Sequence, residues 1–260
     1  MSNGALQGRV ALVTGGGRGV GRAISLALAE AGADVAVNYR RDEESAANTA
    51  AEIQDMGRKA IAVQASIDDA DADAQMVERV AGELGPVSIL VNNAGLASRG
   101  QSVADTDPAE AARLLATHAV GPHHLCRLVL PHMRTCDRGD IVFISSVATD
   151  HHAANGAPYN MGKAAMEALA STLAKEEQRH GIRVNTVAPG LVETEMGRRL
   201  AKAGGADIED LHAHYPFGRV CQPEDVAAVV SFLVGEQGSY VSGVRIRVDG
   251  GGQQMIRPPR

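Results

Sequence analysis

The chain has 260 residues, a formal net charge of −6 and 45% apolar residues. That apolar content excludes a disordered chain, and the missing basic face excludes nucleic acid as a main partner. Aromatics make up 3% and Trp is absent, so the core falls to Val, Ile, Leu and Ala, as in parallel sheets covered by helices.

Residues 9–13 read as a short strand, followed by T-G-G-G-R-G-V-G at 14–21. A helical pattern follows, with Ile24, Ala27, Leu28 and Ala31 on one face and Gly32 as its stop. Residues 34–38 form a second strand, 43–56 an alanine-rich helix closed by Gly57, and 59–65 a third strand. A helix over 71–84 breaks at Gly85-Pro86, and a fourth strand at 88–92 runs into N-N-A-G. One long helix is expected over 108–133, then a fifth strand at 140–145, a helix over 158–181 with Pro158 in its first turn, and a sixth strand at 183–187. Residues 191–217 are irregular and partly helical; a helix at 223–234 and a seventh strand at 244–248 complete the pattern. The alternation implies an α/β fold: a Rossmann-type, doubly wound parallel sheet of about seven strands with helices on both faces. No linker or repeat divides it, so 1–260 is read as a single domain with a substrate-loop segment at about 191–217.

Three stretches carry chemistry. Gly15, Gly19 and Gly21 follow a strand and open a helix, spaced G-x-x-x-G-x-G. Such glycines let the backbone approach a pyrophosphate, and the helix N-terminus supplies N–H groups and the positive end of its dipole. At the end of the second strand, where NAD-binding sites place a carboxylate, stand Asn38, Tyr39, Arg40 and Arg41, with no acid before Asp42. Arg18 lies in the glycine loop. Guanidiniums there suit a 2′-phosphate, which reads as NADP(H); the alternative leaves Arg40 and Arg41 in solvent and Arg18 alone facing the adenosine. Finally, Ser146 ends the fifth strand, and Tyr159 and Lys163 stand four apart on a helix. Positions i and i+4 share a face, a nearby ammonium favours a phenolate, and hydroxyls of Ser146 and Tyr159 could then exchange a proton at neutral pH. The alternative for Tyr-x-x-x-Lys by itself is coincidence, with a solvated lysine.

With these residues in hand, the chain resembles the short-chain dehydrogenase/reductase family over nearly its whole length. The likeness rests on T-G-x-x-x-G-x-G at 14–21, N-N-A-G at 92–95, Ser146, Tyr159 and Lys163 at the family spacing, Pro189-Gly190 with Thr194 beyond, P-E-D-V at 223–226 and V-D-G-G at 248–251. Within the family it is most similar to the 3-oxoacyl-carrier-protein reductase and ketoreductase group. The resemblance implies an NADP(H)-dependent enzyme interconverting a ketone and a secondary alcohol. Tyr159 would be its general acid/base, Lys163 would hold the nicotinamide ribose and lower the Tyr159 pKa, and Ser146 would bind the substrate oxygen. It also places Val20, Asn92, Ala94 and Gly95 on the cofactor side, with Pro189, Gly190, Val192 and Thr194 toward the carboxamide. Two positions depart from the family. His118 stands where relatives carry an Asn that completes a water relay to the lysine. It either keeps a relay, with the capacity to carry charge near pH ~6.5, or is a packed helix residue. Ser66 replaces an Asp near the adenine, with Ile67 and Asp68 beside it. A competing reading is an NADPH-binding regulator or scaffold without catalysis, prompted by His118 and Ser66.

Other features are less directive. His151, His152, His212 and His214 fall in segments that border the substrate in the family; they fit a polar substrate or solvated loops, and no ligand set for a metal completes them. Cys126, Cys136 and Cys221 are scattered and odd in number, which suits a reducing cytoplasm. Residues 1–7 lack a charged-then-apolar leader pattern, and no stretch reaches a membrane span. A homo-oligomer, tetramer or dimer, is implied by the resemblance through the helices at 108–133 and 158–180, where Ala164, Ala165, Ala168 and Ala170 permit close packing. The polar tail at 253–260 is either loose or covers a neighbour.

Overall fold

The computed structural model describes residues 4–251; the expectation for the 253–260 tail lies outside the described residues. The strands are β1 (Val10–Val13), β2 (Asp34–Tyr39), β3 (Ala60–Gln64), β4 (Val87–Asn92), β5 (Gly139–Ile144), β6 (Ile182–Pro189) and β7 (Arg245–Val248). Between them run α1 (Gly19–Glu30), α2 (Glu43–Asp55), α3 (Ala70–Glu83), α4 (Pro108–Leu115), α5 (Gly121–Met133), α6 (Ala148–His151), α7 (Ala157–Glu177), α8 (Glu195–Ala203), α9 (Ile208–Leu211) and α10 (Pro223–Val234). All seven strands pair in parallel in the order β3-β2-β1-β4-β5-β6-β7. This is the doubly wound sheet that the alternation implies. The winding reverses between β1 and β4, and the crevice beyond their carboxyl ends is where such sheets bind ligands.

Alternation along each strand sends successive side chains to opposite faces. Ala11, Val13, Val35, Val37, Ile89 and Val91 pack with Ile24, Leu28, Ile53 and Val230 of α1, α2 and α10. Leu12, Ala36, Leu90, Ile141 and Phe143 pack on the other face with Met76, Leu125, Val129 and Met166 of α3, α5 and α7. These two aliphatic layers fix the strand ends that carry the motifs.

The expected single helix over 108–133 is interrupted. Residues Ala116–Val120 form a π-turn, in which the Gly121 N–H donates to the Ala116 carbonyl five residues back. Pro122 explains it: proline has no N–H for the carbonyl four residues earlier, and its ring crowds that carbonyl. That carbonyl belongs to His118, so the irregular turn carries the residue that departs from the family pattern. A second difference is α6, a four-residue helix that begins two residues after Ser146 and that periodicity does not reveal.

Candidate active site

Thr14, the last residue before the glycine loop, organises the crevice. Its Oγ1 accepts from the backbone N–H groups of Asn93 and Ala94, both at 2.9 Å, and donates to the Val91 carbonyl at 3.2 Å. Asn93 replies through Nδ2, which donates to the carbonyls of Thr14 at 2.8 Å and Gly15 at 3.2 Å. The loops after β1 and β4 are thus tied to each other. Asn38 ties the same loop to the second half-sheet: its Oδ1 accepts from the Gly15 N–H at 3.2 Å and its Nδ2 donates to the carbonyls of Ala65 at 3.1 Å and Val63 at 3.3 Å. Asn38 is buried and stands behind the loop, which corrects its expected place beside the ribose. Gly21 must be glycine, because a Cβ there would sit 2.1 Å from the Gly15 carbonyl oxygen.

The start of α1 lacks the side-chain cap found on several of its neighbours. Asp42, Asp69, Asp107 and Thr194 cap α2, α3, α4 and α8 with side-chain hydrogen bonds. The cap position of α1 is Arg18, with no side-chain cap and no acidic residue in the first turn. Its free N–H groups and dipole end suit an anionic group, so these residues fit a dinucleotide pyrophosphate. Val20 packs partly buried against the core behind them.

Around this loop, Arg18 is exposed and pairs with Glu195 at 3.1 Å and Asp42 at 3.8 Å. Arg40 and Arg41 are exposed and Tyr39 is half-buried. The Ser66 hydroxyl donates to Asp68, and Ile67 is buried. Thr194 faces the loop from the far side: a Cβ on Gly19 would lie 3.1 Å from its Cγ2. The Pro189 carbonyl accepts from the Val147 N–H at 3.0 Å, Gly190 N–H donates to Val248 at 3.0 Å, and Val192 is buried in a bridge to Cys221. Ala94 and Gly95 line the crevice half-buried. Asn92 does not: it is buried with its Nδ2 3.7 Å from Cys126 Sγ. Strand alternation makes its neighbour Asn93 the one that meets the glycine loop.

Ser146, Tyr159 and Lys163 converge at the carboxyl end of β5. Ser146 Oγ accepts from the Ala148 N–H at 3.1 Å and shares a hydrogen bond with Tyr159. Lys163 is buried; its Nζ donates to the Ile144 carbonyl at 2.7 Å and lies 5.8 Å from the Tyr159 ring centroid. Burial pulls the Lys163 ammonium down to about 7, against a pull upward from Glu167. Burial holds the Tyr159 phenol above its ordinary value, and the Ser146 hydrogen bond pulls it partly back. The expectation that Lys163 lowers Tyr159 is therefore corrected for this structure. The ammonium is turned to the Ile144 carbonyl, and desolvation of the phenolate sets the direction of the shift.

His118 is completely buried. Its Nε2 lies 2.9 Å from the Leu96 carbonyl and 3.4 Å from the Leu96 N–H; the shorter contact is to an oxygen that only accepts, which assigns the proton to Nε2, and the buried Nδ1 has no hydrogen-bond partner. The ring meets Tyr159 edge to face, with centroids 5.3 Å apart. Gly95 makes the room: a Cβ there would come within 2.9 Å of His118 Cε1, 3.5 Å of Nδ1 and 3.7 Å of Lys163 Nζ. Burial first and Lys163 second push the imidazolium down to about 3. The anticipated charge near neutral pH is corrected: this histidine is neutral.

The loop histidines divide. His151 and His152 are exposed, whereas His212 is engaged, with Nε2 3.3 Å from Glu193 and Nδ1 accepting from the Val220 N–H at 3.4 Å. Among the described residues no cluster of metal-ligating side chains exists and no helix is long and apolar enough to cross a membrane. Thr14, Asn93, Glu167 and Arg245 carry much of the geometry; in the sequence Thr14 and Asn93 stand out only within their motifs, and neither Glu167 nor Arg245 stands out. For Asn93 the signal was available, since of two adjacent asparagines ending a strand only one can face the β1 loop.

Comparisons with known proteins agree with this geometry. A family model described as Enoyl-(Acyl carrier protein) reductase matches residues 15–253. Versicolorin reductase stcU of Emericella nidulans is 36% identical over 95% of this chain and 96% of its own. A 3-oxoacyl-[acyl-carrier-protein] reductase, FabG of Staphylococcus aureus, is 34% identical over 93% of this chain and 96% of its own. Among solved structures, a short chain dehydrogenase from Burkholderia cenocepacia in complex with NADP superposes with a TM-score of 0.86 at 36% identity, covering 95% of this chain and 98% of that one.

Proposed function

The chain belongs to the short-chain dehydrogenase/reductase family of oxidoreductases, and from that premise we propose that it is an NADP(H)-dependent enzyme interconverting a ketone and a secondary alcohol. The observation that carries this reading is the hydrogen-bonded Ser146–Tyr159 pair with buried Lys163, at the carboxyl end of the sheet beside the uncapped start of α1. Gly15, Gly19 and Gly21 with the α1 N–H groups would hold the pyrophosphate, Arg18 and Arg40 the 2′-phosphate, and Ala94, Gly95, Pro189, Gly190 and Thr194 the nicotinamide half. The nicotinamide, when bound, supplies the hydride. Ser146 Oγ donates to the substrate carbonyl and fixes its orientation. Tyr159 Oη gives its proton to the same oxygen as the alcohol forms, and takes it back in the reverse direction. A phenol held above its ordinary value carries its proton at neutral pH, the form that reduction of a carbonyl requires at the outset. Buried Lys163, its ammonium pulled down to about 7, exchanges a proton readily near neutral pH and returns it to Tyr159.

Neutral His118 takes the relay position. With Nε2–H committed to Leu96, Nδ1 remains a lone-pair acceptor in the space that Gly95 leaves open beside Lys163. The names of the relatives support carbonyl substrates, a 3-oxoacyl group among them. The assembly we propose is a homo-oligomer that uses α4, α5 and α7. Ala164 and Ala168 are exposed on α7, while Ala170 is part of the core. The three cysteines are free, which suits a reducing compartment such as the cytoplasm.

The test is a panel of short acyl thioesters, cyclic ketones, sugars and steroids, followed by loss of reduced-nicotinamide absorbance with NADPH and with NADH. Turnover with NADPH, and loss of the preference for it in Arg18→Ala, is the expected result. Tight NADPH binding without turnover of any member would favour a cofactor-binding regulator, and tighter NADH binding would overturn the cofactor assignment.

A further inference from the structure

The Ser146 hydroxyl is useful only if its backbone stays still, and its surroundings are weak. It precedes α6, whose four residues cannot sustain a helix unaided. Beyond α6 the chain runs through His152 and Asn155, both at positive φ. Yet this segment is tied to two distant elements. Arg245, the first residue of β7, donates through Nη2 to the Ser146 carbonyl at 3.2 Å, to Thr149 Oγ1 at 2.8 Å and to Asp150 Oδ2 at 3.1 Å. Its Nε donates to Glu167 Oε1 at 2.8 Å. The same Glu167 oxygen, from α7, accepts from Ser145 Oγ at 2.5 Å and lies 2.9 Å from Thr149 Oγ1. Thr149 Oγ1 is also 2.9 Å from the Ser146 carbonyl. One guanidinium and one carboxylate thus reach both residues at the end of β5 and two residues of α6.

We propose that Arg245 and Glu167 form a brace that sets the position of Ser146, making both of them positioning residues for the proposed carbonyl-binding hydroxyl. The inference rests on the reading of Ser146, Tyr159 and Lys163 as the reacting site. Arg245 suits the task because its planar fork serves two directions at once, which a lysine ammonium on a flexible stem does not. Glu167 has a second consequence. It sits one helical turn beyond Lys163 and pulls that ammonium upward against the larger effect of burial. The groups facing Lys163 are Tyr159 and Glu167 from α7 and His118 from the π-turn. Those around Glu167 are Arg245 from β7 and, through it, Asp150 from α6, which also pairs with Arg247 at 3.6 Å.

The experiment uses the full chain with Arg245→Met, Arg245→Lys, Glu167→Gln and a control. The control is Glu177→Gln, which removes a buried carboxylate at the far end of α7, paired with Arg134. Amide hydrogen exchange over 146–151 reads the brace without any turnover. Arg245→Met should exchange faster there, keep its NADPH affinity and lose about ten- to a hundredfold in kcat, the scale of an ångström-sized misplacement. Arg245→Lys should recover little of that loss. Glu167→Gln should move the alkaline limb of the kcat–pH profile to lower pH, because Lys163 then loses its proton sooner. Glu177→Gln should lower thermal stability and leave both the exchange at 146–151 and the pH profile as in the parent. Unchanged exchange in Arg245→Met, or an equal pH shift in Glu177→Gln, overturns the proposal. If Arg245→Met does not fold, Arg245→Lys and Glu167→Gln decide by the same exchange readout. Full turnover in Tyr159→Phe would instead sink the functional reading, and the exchange data would still judge the brace.

Discussion

Replacing His118 by Asn should remove a block of acid sensitivity from the fold. Burial sets the folded pKa of His118 at about 3, below the ordinary value of 6.5. A base whose folded pKa is depressed destabilises the fold as pH falls through its unfolded value, because the unfolded chain takes up the proton and the folded one does not. Between pH 7 and pH 5 this amounts to about 2 kcal/mol for His118. The side chain is completely buried, so solvent does not screen the effect. Asp73 works in the opposite sense: its folded pKa is raised to about 7, so it gains stability over the same window, also about 2 kcal/mol. The wild-type slope alone is therefore uninformative, and the difference between variant and wild type isolates the histidine. Urea unfolding at pH 7 and pH 5 measures it. The smaller Asn leaves a cavity that lowers stability equally at both pH values and cancels in the comparison. His118→Asn should gain about 2 kcal/mol relative to wild type on going from pH 7 to pH 5. Parallel losses in the two proteins would refute a neutral, buried His118.

Two further predictions concern groups outside the proton path. Asp73 is fully buried, both its oxygens lack hydrogen-bond donors, and His124 Nδ1 is 3.5 Å away. A carboxyl with a raised folded pKa contributes stability in full below its unfolded value and loses it as pH rises through about 7. Asp73→Asn should therefore be more stable than wild type at pH 8, by roughly 4 kcal/mol in urea unfolding, with the advantage shrinking to about 2 kcal/mol at pH 5 and gone only below the unfolded value; equal stability at pH 8 would contradict this. Thr14→Val leaves the Ala94 N–H without its acceptor and the Asn93 N–H with only the Val91 carbonyl at 3.0 Å, and it removes the hydroxyl's own bond to Val91. It should cost about 2–4 kcal/mol and weaken NADPH binding in a fluorescence titration, whereas unchanged affinity would show that the two loops do not depend on each other.

Much of this molecule was legible from its sequence because the signals are local. Strand and helix alternation gave the sheet, and glycine spacing located the α1 loop, since only a residue without Cβ fits at Gly21. Tyr159 and Lys163 were legible because four residues make one helical turn. What failed depends on distant residues. The direction of the Tyr159 shift is set by burial, which no spacing encodes. The assignment of Asn92 missed the alternation that turns it toward Cys126. The π-turn was hidden because apolar periodicity hardly differs between helix types, although Pro122 marked its place. Arg245 and Glu167 are 78 residues apart and meet only because β7 lies beside β6 under α7.

The central claim is that Tyr159 passes the proton while reduced nicotinamide gives the hydride. Its most direct test is single-turnover oxidation of bound NADPH by a ketone accepted by the wild type, in wild type and in Tyr159→Phe. The variant should bind NADPH with unchanged affinity and lose at least about a hundredfold in the rate of the chemical step, the contribution expected of a positioned acid. A wild-type rate in Tyr159→Phe would contradict the account.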